Sequence, residues 1–195
     1  LTHIGDPQRG FYNGVQPEQI TGRDGTRNGI ENMAEVCIVG RAVLADLPRY
    51  FASSGQAWEP NAQQTVSAGE LAACLAGAGV RVQPADIVLV RTGWLADYLA
   101  ATRERRDAIL AGRTFSGLSG GPDLWEWIWD QCVAAVAADQ PTAEVWPLYE
   151  GKPSLHLAIA RLGLTLGELF DLEALAADCA QDGRATCFFT SSPLN

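Results

Sequence analysis

From residue 36 onward, short apolar runs alternate with amphipathic stretches. Val36 to Leu47 (VCIVGRAVLADL) is apolar on both faces, which predicts one or two buried strands with Gly40 at a turn or close approach. Ser67-Ala68-Gly69-Glu70 reads as a capping box that opens a helix through Leu71, Leu75 and Ala78, closed by Gly79. Ile87 to Arg91 is a short strand running into Thr92-Gly93-Trp94. Leu95 to Leu110 carries apolar residues at helical spacing, with Arg103 to Asp107 as its solvated face. Pro122 suits the first turn of a helix containing Trp125, Trp127 and Trp129. Trp125 and Trp129 share a face at i, i+4 and are expected in the core, which leaves Trp127 to meet a second subunit. Val133 to Ala138 reads as a buried strand ending at Asp139. Ser154 is placed to cap a helix from His156 to Leu162, with Gly163 ending it and Leu164 to Leu166 extended. Leu172 to Cys179 is amphipathic and closes near Gly183, and Ala185 to Ser191 is the last strand.

The stretch from Leu1 to Met33 breaks this pattern. It is rich in Gly, Asn, Asp and Pro and reads as loop and turn. Long loops inside compact domains are often functional. The strand–helix alternation that follows predicts an α/β domain, with the loop-rich part adding a second layer.

The chain has 195 residues, enough for one large domain with a real core. A net charge of −9 argues against a nucleic-acid partner. No apolar run approaches the roughly 18–20 residues of a membrane helix, so no membrane partner is expected. The 5 cysteines are odd in number and widely spaced, which suggests neither a disulfide framework nor a zinc ribbon. All lie in apolar or helical stretches, so buried free thiols and a reducing, cytoplasmic setting are expected. Phosphate-binding glycine loops and the Gly-x-Ser-x-Gly elbow of serine hydrolases do not occur.

The 2 histidines are His3 and His156. His3 begins the loop-rich segment. An imidazole on a helix and Glu168 at the end of the next strand can converge on one point. Such a pair can be two metal ligands, or a base and its orienter, or simply a surface histidine and a solvated glutamate. Asp139 stands at a strand end with another carboxylate nearby, where a cap or turn role is the commoner one.

Several motifs, taken in order, resemble one family. His3-Ile4-Gly5-Asp6, with Phe11-Tyr12-Asn13-Gly14, is similar to the tail of a His-x-Gly-Thr-His-x-Asp-x-x-x-His signature and the segment after it. Gly40-Arg41-Ala42-Val43-Leu44-Ala45-Asp46, Asp86 to Trp94, and Asp139-Gln140-Pro141-Thr142-Ala143-Glu144 resemble three further family motifs. In the last of these, Gln140 and Glu144 stand where the family has Thr and Asp. His156 and Glu168 fall at the spacing of a downstream ligand pair, and Pro193-Leu194 resembles a closing Pro-Leu. The family is that of metal-dependent cyclases or kynurenine formamidase-like hydrolases, which includes isatin hydrolases.

The resemblance implies a layered β/β/α, swivelling-domain-like α/β fold. Residues 1–195 would form a single domain lacking the family's N-terminal part and extreme C-terminus. It implies a divalent metal, zinc or manganese, held by His156 and Glu168 together with upstream ligands ahead of Leu1. His3 would be the general acid/base. The implied activity is hydrolysis of a small amide, aryl formamide or cyclic amide, in a homodimer or higher homo-oligomer. The alternatives are a lactone hydrolase or cyclase, or a non-catalytic relative that binds or scaffolds.

Overall fold

The computed structural model describes residues 10–19 and 29–193. A five-stranded sheet organises them. It contains β1 (Ile38–Asp46), β3 (Ile87–Arg91), β5 (Ala135–Ala138), β6 (Thr165–Gly167) and β7 (Thr186–Ser191), in the order β6-β5-β3-β1-β7. β1, β3, β5 and β6 run parallel, and β7 lies antiparallel to β1 at the edge. Helices cover both faces of the central strands, so β3 and β5 read as unbroken apolar runs rather than alternating ones.

Val43, Ala45, Val88, Val90, Val136 and Ala138 share one core with α2 (Leu47–Ser53), α3 (Ala68–Gly77) and α6 (Pro122–Asp130). Ala42, Leu44, Leu89 and Ala137 point the other way, against Leu172 and Ala176 at the start of α8 (Glu173–Asp182). A small parallel pair, β2 (Thr65–Val66) and β4 (Gly117–Leu118), joins the first core through Val66 and Leu118. Bridges from Phe115 to Trp146 and from Leu118 to Glu144 extend this second layer to the loop after β5. The architecture is the expected layered α/β one.

The capping box is present: Ser67 Oγ accepts from Glu70 N, and the Glu70 carboxylate accepts from Ser67 N at 2.8 Å. Other local expectations change. Val36 to Leu47 holds one strand with no turn, and Gly40 is an ordinary strand residue facing Ile87. Residues 30–36, read partly as loop, form α1 (Ile30–Val36). Leu95 to Leu110 is two helices, α4 (Trp94–Ala100) and α5 (Arg103–Gly112). The apolar period runs through the break, but Thr102 stays extended and its hydroxyl caps Arg105 N.

The tryptophan assignment holds for Trp125 and reverses for Trp127 and Trp129. Leu124 and Ile128 hold the buried stripe of α6, and Trp125 and Trp127 pack beside it. Trp125 is further covered by the Arg161 guanidinium, 5.3 Å from its ring centre. Trp129 is the exposed one, at 65%. Among the cysteines only Cys74 is buried, and burial first pushes its thiol up to about 12. Cys37 and Cys132 are exposed, each lying between elements at a positive φ rather than inside one.

Candidate functional site

The carboxyl ends of the parallel strands carry the polar groups, as open α/β sheets tend to arrange them. At the end of β3, Arg91 forks onto Glu173 (2.7 and 2.8 Å) and reaches Asp46 at 2.8 Å, tying β3 to β1 and α8. At the end of β5, buried Asp139 accepts from Thr92 N (2.7 Å), Thr92 Oγ1 (2.6 Å) and Gly93 N (2.7 Å). Burial raises its pKa despite those bonds. Asp139 therefore clamps two strand ends and starts α4, the structural role expected of it.

The loop after Asp139 is tightly organised. Gln140 is fully buried. Its Nε2 donates to Glu144 O at 2.8 Å and its Oε1 accepts from Thr142 N and Oγ1, both at 2.8 Å. The loop thereby sets Glu144 inward, 1% exposed. Gly117 in β4 and Gly120 in the loop after it bring bare backbone against this segment. A Cβ on Gly117 would lie 2.7 Å from Glu144 C, and one on Gly120 would lie 2.8 Å from Leu155 N and against Pro153 O.

His156 follows directly. Helical hydrogen bonding begins with short i+3 bonds, Leu157 N to Ser154 O (3.1 Å) and Ala158 N to Leu155 O (2.9 Å), before α7 (Leu157–Leu162). Ser154 Oγ accepts from His156 N at 3.1 Å and donates to Glu144 Oε1 at 2.6 Å. Gly163 ends α7 at φ +70, and Thr165 to Gly167 runs extended to Glu168. The helix–glycine–strand sequence so brings His156 and Glu168 together, with Nε2 to Oε1 at 3.0 Å. On the other ring nitrogen, Nδ1 meets Glu144 Oε1 at 2.7 Å. His3 lies outside the described residues.

Nothing in the sequence alone marks Glu144 as a site residue. Its only sequence signal is its place at the end of the Asp139–Glu144 motif, and its contact with His156 depends on the close approach of β4.

The two carboxylates raise the His156 pKa to about 9, through the Glu144 bond first and the Glu168 bond second. Unfolded, the group returns towards about 6.5. Because the folded value is the higher one, the imidazolium's contribution to stability is complete below about pH 6.5. It declines as pH rises and is gone above about 9. Metal-free protein is expected to lose thermal stability between these limits, and His156→Gln to flatten that part of the profile. A wild-type Tm that does not fall over this range would contradict the ion-pair geometry.

An imidazole backed by a buried carboxylate, with its other nitrogen facing a half-exposed carboxylate, is a donor set suited to a divalent cation. Among the described residues, no group of three or more His, Cys, Asp and Glu side chains could hold a metal ion. His156 and Glu168 alone therefore do not complete a metal site among these residues.

A sequence model of the cyclase family matches residues 9–145, and the chain belongs to that family. It is similar, at 31% identity, to a protein whose crystal structure is described as that of a novel cyclase. That likeness covers 99% of this chain and 61% of the other, with a TM-score of 0.82. Isatin hydrolase A from Labrenzia aggregata, bound to benzyl benzoate, is 18% identical over 90% of this chain and 62% of its own, with a TM-score of 0.56. Isatin hydrolase A from Ralstonia solanacearum is 19% identical over 78% and 55%, with a TM-score of 0.51. These two share the fold. The chain spans about three fifths of the length of the first structures it matches. No curated protein sequence matches it. No helix among the described residues is long and apolar enough to cross a membrane.

Proposed function

We propose that this chain forms the larger part of a metal-dependent hydrolase acting on a small amide, aryl formamide or cyclic amide. The observation that carries this reading is the approach of His156 Nε2 to Glu168 Oε1 at 3.0 Å, with Glu144 behind the ring. His156 and Glu168 would hold a divalent cation, zinc or manganese, with further ligands from outside the described residues. Bound there, the cation would supply a water of near-neutral pKa and polarise the substrate carbonyl. Glu144 and Ser154 keep the imidazole oriented, and His3 would carry a proton to the leaving nitrogen. Family membership and the isatin hydrolase fold support the class of reaction. The test is metal content of the full-length protein, with hydrolysis of an N-formyl arylamine, a cyclic amide and a lactone measured before and after chelation. Chelation that leaves every activity intact would refute the metal role. A preference for the lactone would favour the lactone hydrolase reading. Absence of both metal and activity would favour a non-catalytic binding or scaffold role.

The free thiols fit a reducing, cytoplasmic setting. A homo-oligomer is also proposed, with the exposed Trp129 of α6 in the contact rather than Trp127. Trp129→Glu is expected to lower the solution mass of the full-length protein while changing its stability by less than about 0.5 kcal/mol, since an exposed side chain is removed. An unchanged mass would exclude this helix face from the contact.

A further inference from the structure

We propose that Glu144 is the positioning residue of this site: it dictates which ring nitrogen of His156 is left to face Glu168. The proposal rests on the reading of His156 and Glu168 as metal ligands, but its geometry stands apart from it.

Glu144 receives only donors. Oε1 accepts from Ser154 Oγ at 2.6 Å and from His156 Nδ1 at 2.7 Å, while Oε2 accepts from Leu155 N. Both ring nitrogens face acceptor-only carboxylates, so the charged ring donates to both and the neutral ring has one proton for the two. Glu144 is buried and fixed by two further donors, whereas Glu168 is 36% exposed and open to water, so the proton stays on Nδ1 and Nε2 is the nitrogen left free to bind a cation. Nor can the carboxylate swing away to satisfy a different form. It is 1% exposed, and its own backbone carbonyl is held by Gln140 Nε2 at 2.8 Å. The same side chain fixes the two residues before the imidazole, so ring orientation and chain path are set by one group. A residue in this place acts through His156 and needs no contact with substrate.

Glu144→Gln separates the two roles of the carboxylate. An amide can face Leu155 N–H only with its oxygen, which turns its NH₂ to Nδ1 and drives the ring to the Nε2–H form. Long-range proton–nitrogen spectra of His156 in metal-free protein, at a pH above about 9, should show the Nδ1–H form in wild type and the Nε2–H form in Glu144→Gln. Zinc titration of the full-length protein should show about a 10–100-fold loss of affinity in Glu144→Gln, the usual effect of removing such a partner. Ser154→Ala removes a different donor from the same carboxylate and should keep the wild-type ring form. If Glu144→Gln does not fold, Glu144→Asp serves. Its side chain is one methylene too short to hold both Leu155 N and Nδ1, and it should lose zinc affinity several-fold. Wild-type ring form and wild-type zinc affinity in Glu144→Gln would overturn the proposal, as would undiminished affinity in Glu144→Asp. A wild type that binds no zinc would overturn the metal reading instead, and the ring spectra would then decide the role of Glu144 by themselves.

Discussion

Replacing His156 with alanine in the full-length protein is expected to remove metal and turnover together, while His3→Ala keeps the metal and loses roughly 10²–10⁴-fold in turnover. The difference follows from what holds each ring. His156 is pinned at both nitrogens, 2.7 Å from Glu144 and 3.0 Å from Glu168, at the start of a packed helix. A side chain so fixed is suited to ligation, which needs a rigid donor. Deleting it strands Glu168 as a lone carboxylate and leaves the buried Glu144 with two donors, Ser154 Oγ and Leu155 N, in place of three. His3 belongs to a glycine-rich segment, and a proton-transfer role requires only that it reach the leaving group. Its titration should leave an inflection within a unit or two of about 6.5 in the pH–rate profile. Metal analysis and steady-state kinetics of the two variants decide the assignment. Equal loss of metal in both would make His3 a ligand; unchanged hydrolysis of amides and lactones in both would leave the non-catalytic reading.

Much of this architecture was legible along the chain because it depends on local chemistry. The Ser67–Glu70 capping box, Pro122 at the first turn of α6, and the left-handed Gly163 and Gly183 each mark a boundary where the backbone obeys. The convergence of His156 and Glu168 was readable for the same reason: a short helix, one left-handed residue and a three-residue strand leave few paths. The misreadings share a different cause. Thr102 interrupts a helical period that continues across it, so periodicity alone joins α4 to α5. Trp125 and Trp129 share an ideal helix face, but Arg161 and the core cover only the first. Ser154 has the identity of a helix cap, and its oxygen does accept from His156 N, but its proton goes to Glu144, ten positions away, and α7 starts three residues later at Leu157. Glu144 itself escaped notice because nothing local aims it. Its direction is set by β4, whose own sequence signal is two residues of strand.

The loop that follows β4 yields the largest expected effect on folding. Gly120→Ala should destabilise the protein by about 3 kcal/mol or more, the upper range for overpacking, which is roughly 6–12 °C in Tm for a chain of this size. The new methyl group would press on Pro153 O and lie 2.8 Å from Leu155 N. Both are backbone atoms, so no side-chain rotation relieves the contact, and the segment carrying Ser154 and His156 must move. Gly121 provides the control. It is the next residue, with φ −73, a Cβ there would meet nothing within 4 Å, and it caps α6 without a side-chain bond. Gly121→Ala should therefore cost less than about 1 kcal/mol, the scale of a poorer cap. The two alanines thus differ by one position in sequence and by whether the loop after β4 presses on residues 153–155. Thermal unfolding separates them first. The loss of stability between pH 6.5 and about 9 separates them again, because a displaced His156 no longer spans Glu144 and Glu168. Gly121→Ala should keep that loss and Gly120→Ala should lack it. Equal melting temperatures and equal pH profiles for the two variants would mean that the loop after β4 does not pack on residues 153–155 closely enough to set the imidazole.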